Sequence, residues 1–178
     1  MFKILLLNPP SINNIRYTRE SRCQEQEDIL GTIKPPLTLA ILASLLRNQG
    51  LEIILLDATA QNLDSEQIIS LLDKKDFAPT HIIFPTTTPT LDGDMFSVKP
   101  LKEKYQSSLI TFGAHVSALP EQTLNAYPWL DMIIVGEPEE PVLDLFQNAG
   151  ANPRSILDRS EIGNGLPVKP ARMSNLDE

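Results

Sequence analysis

Four short clusters in this 178-residue chain carry the residue types that binding chemistry uses, and each follows directly on an apolar run. They are Asn8-Pro9-Pro10 after Lys3 to Leu7, Thr86-Thr87-Thr88 after His81 to Phe84, Gly113-Ala114-His115-Val116 after Leu109 to Phe112, and Gly136-Glu137-Pro138 after Met132 to Val135. Amides, hydroxyls and glycine backbone dominate them. Such groups, set beside helix amino termini, suit a large, neutral, amide-bearing ligand that lies flat and sends one arm down between strands. A small reactive substrate would need converging acids, bases or nucleophiles instead.

Several common chemistries lack their residues. The first strand-to-helix turn has no Gly-x-Gly-x-x-Gly fingerprint, no Walker lysine and no serine on a nucleophile elbow. A phosphoacceptor domain needs an acidic pair after the first strand and an aspartate after the third, where Asn8 and Thr86 stand. Cys23 is the single cysteine, so no internal disulfide and no cysteine-based metal or iron–sulfur site can be built from this chain. Its polar surroundings read as an exposed loop thiol.

The elements that must position these clusters follow from periodicity. Lys3 to Leu7 is a continuous aliphatic run, the pattern of a parallel strand covered on both faces. Ser11 to Lys34 is long and polar with no period, and reads as a lid or partner-docking loop. Pro35 and Pro36 open a helix from Leu37 to Asn48, so apolar that packing on more than one side is expected. Leu51 to Leu56 is a second strand ending at Asp57. Asp64, with Gln67 three residues on, caps a helix running to Lys75.

His81 to Phe84 forms the third strand. A helix over 92–105 should be kinked or split by Pro100. A fourth strand breaks at Gly113 and leads through a polar loop to a short helix opened by Pro120; a fifth breaks at Gly136. Strands alternating with helices, and no hairpin signals until the tail, predict an α/β chain. Its form is a flavodoxin-like or Rossmann-like three-layer sandwich on a five-stranded parallel sheet. The organisation expected is a domain over 1–147, with 148–178, rich in Pro, Gly and Asn, as a linker or edge extension.

A net charge of −8 with scattered Lys and Arg argues against nucleic acid. No apolar run approaches the roughly 20 residues of a membrane helix. The amino terminus MFKILLLNPP is too short in its apolar part for a secretory signal, so a cytoplasmic location is expected. Glu137, Glu139 and Glu140 read as first-turn residues favoured by the helix dipole, with no catalytic role. The threonines could equally satisfy backbone groups of a turn, and His81 reads as structural. Two other classes stay open: a nucleotide-binding enzyme domain, and a flavodoxin-like interaction module without cofactor whose Ser11 to Lys34 loop meets a partner.

The order KILLLNPP, PPLTLAILASLLRNQG, a strand ending in Asp57, FGAHVSALPEQTL and VGEPEEPVLDL resembles the amino-terminal cobalamin-binding domain of B12-dependent radical SAM proteins. That family includes methyltransferases and the anaerobic magnesium-protoporphyrin monomethyl ester cyclase. Its strand-four motif is two glycines, a variable residue and histidine, followed by Pro-Glu-Glu. Gly113, Ala114, His115 and Pro120-Glu121-Gln122 match it with departures at Ala114 and Gln122. The family's Gly-Glu-Gly-Glu after strand five appears as Gly136-Glu137-Pro138-Glu139, and Thr86 to Thr88 stand where related folds place a hydroxyl near the nucleotide base.

The Asp-x-His-x-x-Gly loop that supplies a lower axial histidine in related proteins is absent. The resemblance therefore implies base-off cobalamin with no protein histidine on cobalt, and cobalt facing Asn8 to Pro10 and the Leu37 helix start. It also implies a parent with a carboxyl-terminal radical SAM domain as partner, carrying a 4Fe-4S cluster and S-adenosylmethionine for which this chain has no ligands. GNGLPVKPARMSNLDE resembles the connector to that domain. Alone, the chain is expected to bind and not to catalyse.

Overall fold

The computed structural model describes residues 2–19, 34–147, 155–162 and 170. Cys23 and most of the Ser11 to Lys34 loop lie outside them, as does most of the tail beyond Ile162.

Strand β1, Lys3–Asn8, is buried from Ile4 onward and lies at the centre of the sheet's first half. It pairs in parallel with β2, Glu52–Asp57, on one side and with β3, His81–Pro85, on the other. Beyond these come β4, Ser108–Phe112, and β5, Met132–Ile134, both parallel. The order β2-β1-β3-β4-β5 reverses direction between β1 and β3. That reversal defines a crevice at the carboxyl ends of those two strands, where open α/β sheets take their ligands.

Alternation along β1 decides the layers. Ile4 and Leu6 face helix α1, Leu37–Asn48, and helix α7, Glu139–Gln147. Leu5 and Leu7 face α3, Ser65–Lys74, and α4, Leu91–Tyr105. The same face carries α5, Ala114–Ala118, and α6, Pro120–Ala126, while α2, Ala58–Gln61, is a single turn after β2. With both faces covered the parallel strands can be continuously aliphatic. The architecture is the expected α/β three-layer sandwich.

The sheet has six strands rather than five. Ile156–Asp158, in the stretch read as linker or edge extension, forms β6 and pairs antiparallel with β5. Arg159 holds this edge by donating to the carbonyls of Leu124, Tyr127 and Leu130. Two short helices were also unexpected. One is α2, capped by the Asp57 carboxylate on the amide of Ala60 at 3.0 Å; the other is α5, which occupies the loop expected between Gly113 and Pro120.

Helix α4 runs unbroken through Pro100. The carbonyl that Pro100 leaves without an amide is that of Phe96, a residue 59% exposed, where water can take the bond. Helix α1 buries one face only, through Leu39, Leu42, Ala43 and Leu46, and leaves Leu37 and Ile41 exposed, contrary to packing on more than one side. At α3 the expected cap is present in both halves: Asp64 accepts from the Gln67 amide at 2.8 Å, and the Gln67 side chain accepts from the Asp64 amide at 2.9 Å.

His81 stands at the amino edge of the sheet, edge-on to Phe2 and Phe146 at 5.2 and 5.0 Å between ring centres. Burial lowers its pKa from the ordinary 6.5, against a smaller opposing pull from Asp131. The unfolded chain therefore binds a proton near pH 6.5 that the folded chain refuses. The stability from neutral His81 is present above that pH and is lost as pH falls through it, by up to about 1.4 kcal/mol per pH unit. Urea midpoints between pH 7.5 and 5 should fall less steeply for His81→Phe than for the wild type.

Candidate functional site

The carboxyl edge is built in two tiers, an inner one of buried polar struts and an outer rim of small groups. The inner tier starts from Pro9 and Pro10, both buried, which bring two carbonyl acceptors and no amide donor. Arg19 supplies the donors. Its Nη1 bonds the Pro9 carbonyl at 3.1 Å, the Asn8 side-chain oxygen at 3.3 Å and the Thr59 hydroxyl at 3.1 Å, and its Nη2 bonds the Pro10 carbonyl at 2.9 Å.

The guanidinium charge is met by Asp94 in the first turn of α4, with Nη2 at 2.6 Å and Nε at 3.0 Å from Oδ1. Both side chains are out of water, at 1% and 0% exposure. The Thr86 hydroxyl donates to the other Asp94 oxygen at 2.9 Å, and the Asn8 amide donates to Asp57 at 2.8 Å. Desolvation pushes the Asp94 carboxyl up from the usual carboxylate range, while Arg19 and the hydroxyls of Thr90 and Thr86 pull it back.

The sequence-selected residues therefore divide. The side chains of Asn8 and Thr86 are buried and committed to this network. Thr87 is buried too, and closes a turn with the Thr90 hydroxyl. Val116 is fully buried in the core and Pro138 is also covered. The outer rim consists of Thr88, Ala114 and Glu137, which are exposed, with Gly113, His115 and Gly136 half-buried. Leu37, at the start of α1, is 61% exposed.

Two contacts bring the glycine loops together. The Gly136 amide donates to the Ser117 hydroxyl at 3.0 Å, joining the loop after β5 to α5. His115 Nδ1 lies 3.2 Å from the Thr88 hydroxyl, joining α5 to the loop after β3. Gly113 has φ +137°, and a Cβ there would stand 2.1 Å from the Thr86 carbonyl oxygen. Only glycine lets β4 end this close to β3.

Arg19, Thr59, Asp94 and Ser117 were not found from the sequence. Arg19 lies in a polar stretch without period, and nothing in its neighbourhood marks it as buried. Asp94 did leave a signal: it sits one turn before Val98 and two before Leu101, on the buried face of α4. An acidic residue in a first turn is ordinarily read as solvated, and that habit hides it.

A rim of small and polar groups, with the Glu137 carboxylate among them, remains for chemistry. Among the described residues no three His, Cys, Asp or Glu side chains converge as a metal site. The Ser11 hydroxyl, directly after the Pro9-Pro10 turn, is buried and has no hydrogen-bond partner among the described residues. A depression of about 500 Å³ lies elsewhere, along Gln67, Ser70, Leu71, Lys74 and Lys75 of α3. It has none of the loop groups.

Replacing Gly113 tests the close approach. Gly113→Ala should cost on the order of 3 kcal/mol, through a strained φ and the collision with Thr86. Its measure is the urea midpoint beside that of Gly50→Ala, whose Cβ would meet nothing within 4 Å and which carries only the φ penalty.

Known proteins resemble this chain in sequence and in fold. The chain is 28% identical over 186 aligned positions to an uncharacterized methyltransferase of Pyrococcus horikoshii, with all of the chain and 37% of that protein covered. It therefore spans a little over a third of that curated relative. The radical S-adenosylmethionine methyltransferase TsrM from Kitasatospora setae, solved with cobalamin and a 4Fe-4S cluster, superposes with a TM-score of 0.67 at 14% identity, over 96% of this chain and 31% of that one. The cobalamin-dependent S-adenosylmethionine radical enzyme OxsB, solved with aqua-cobalamin and S-adenosylmethionine, gives 0.68 at 18% identity, over 97% and 22%. These two likenesses concern the fold. In those larger chains the same sandwich forms one part, and no helix of the described residues here is long and apolar enough to cross a membrane. The loops after β2 to β5 and the helices between them fall within residues 30–146, which match the B12 binding domain, and the chain belongs to that family.

Proposed function

We propose that this domain holds a cobalamin across the carboxyl edge of its sheet. The observation that carries the reading is the B12 binding domain match over residues 30–146, which takes in the rim loops after β3, β4 and β5. The rim fits the group. Thr88, the Gly113 and Gly136 backbone, Ala114 and Glu137 offer small polar or open positions to the amide side chains of a corrin, and the unpartnered Ser11 hydroxyl adds a hydrogen-bonding group beside the Pro9-Pro10 turn.

Bound cobalamin supplies a cobalt centre for group transfer or radical chemistry. The chain's own residues bind and orient. His81 lies at the opposite edge and His115 is turned to Thr88, so neither histidine would serve as a cobalt ligand, and the corrinoid would be held base-off. On this reading the Asn8 to Pro10 turn and the start of α1 would lie on the side of the cobalt. The parent, cytoplasmic, adds a radical SAM domain with its 4Fe-4S cluster and S-adenosylmethionine. That domain is the partner, joined through the segment following β6, and the reaction belongs to the assembled protein.

Exposed Leu37 and Ile41 on α1 favour a second reading, an interaction module without cofactor. A visible absorption titration with hydroxocobalamin separates the two. The wild type should give a saturable spectral change. Ala114→Trp, a bulky change at an exposed position, should weaken binding at least about tenfold while the melting temperature stays the same. No change at about 1 mM cofactor would end the cobalamin reading and leave the interaction module.

A further inference from the structure

The segment after β1 is a closed loop, not a tail. It leaves the sheet at Pro9, and Ile12 and Ile15 exchange backbone hydrogen bonds of 3.0 and 2.8 Å. It turns at Asn13 and Asn14 with φ 51° and 61°, then comes back so that Arg19 reaches the Pro9 and Pro10 carbonyls where it began. Ile12 is seated on α4 so closely that a Cβ on Gly93 would stand 2.4 Å from its Cδ1. Arg19 and Asp94 fill the crevice between β1 and β3 at the centre of this loop.

We infer that the Arg19–Asp94 pair is a positioning device for the ligand edge: it shapes the Pro9-Pro10-Ser11 turn that receives the corrinoid and so sets affinity. This rests on the cobalamin reading above. The physical need is specific. A buried Pro-Pro turn presents acceptors and no donors, so β1 cannot hold it by backbone pairing. A guanidinium, with five N–H groups in a planar fork, can bond both carbonyls, Asn8 and Thr59 while still pairing with a carboxylate. A lysine ammonium has three donors at one point and cannot span the same set. Asp94 in turn fixes the fork, and through Thr86 it ties the turn to the end of β3.

The test compares hydroxocobalamin affinity with thermal stability in the full chain. The double change Arg19→Met with Asp94→Leu replaces both charges by apolar side chains, an exchange that buried ion pairs often tolerate. It should retain a cooperative melt, yet its Kd should rise about tenfold or more, because the turn is no longer held. Arg19→Lys should melt as a folded protein with a Kd between those of the wild type and the double variant. Lys102→Met breaks the Lys102–Asp131 pair at the other end of α4, and should lower the melting temperature while leaving Kd unchanged.

Wild-type Kd in a folded double variant overturns the inference and leaves the cobalamin reading standing. If the double variant fails to fold, wild-type Kd in Arg19→Lys does the same. Absence of saturable binding in the wild type overturns both.

Discussion

A charged pair sealed at the reversal point of the sheet is the constraint to which the rest of the carboxyl edge conforms. Arg19 and Asp94 are out of water, and an uncompensated charge in such a place is strongly unfavourable. Each hydrogen-bonding position of the pair must therefore be met. Thr86, Thr59, Asn8 and the Pro9 and Pro10 carbonyls meet them. Removing one partner of such a pair typically costs about 3–5 kcal/mol, more than most surface contacts could restore. The ends of β1 and β3, the first turn of α4 and the loop after β1 are thereby fixed relative to one another.

That inner tier explains why the outer rim can be small. Thr88, Ala114 and the glycines of the loops after β4 and β5 have little side chain with which to brace one another. Their positions are instead set from below, by the Thr86 carbonyl packed against Gly113, and from the side, by the Ser117 hydroxyl on the Gly136 amide. A rim of small groups on a rigid base leaves backbone and short side chains open at the carboxyl edge, with Glu137 the carboxylate among them. Hydroxyl and amide side chains serve in both tiers, so residue type alone does not tell a strut from a contact.

The domain's place among its relatives follows from the same division. It belongs to the B12 binding domain family, and its fold is shared by parts of larger cobalamin-containing radical enzymes at identities of 14 and 18%. At such identities the likeness is one of fold. The edge strand β6 covers the outer side of β5 and is fastened by Arg159 to carbonyls around α6.

By itself the sequence determined the layers. Aliphatic runs ending at Asn8, Pro85, Gly113 and Gly136 alternate with capped helical patterns, because strands buried on both faces and helices buried on one face must be written that way. The loops that form the rim were legible for the same reason: each begins where an apolar run stops. Tertiary structure alone decided which of those residues face outward. Thr86 and Thr88 have the same chemistry and neighbouring positions, yet one is buried on Asp94 and the other is exposed beside His115. It alone decided that Arg19, in a stretch without period, would cross back to the turn after β1, and that Ile156–Asp158 would pair as a sixth strand. Both depend on groups distant along the chain: a pair of proline carbonyls needing donors, and an open sheet edge needing a partner. A local pattern records the face a residue shows to its own element, not the partner that folding brings to it.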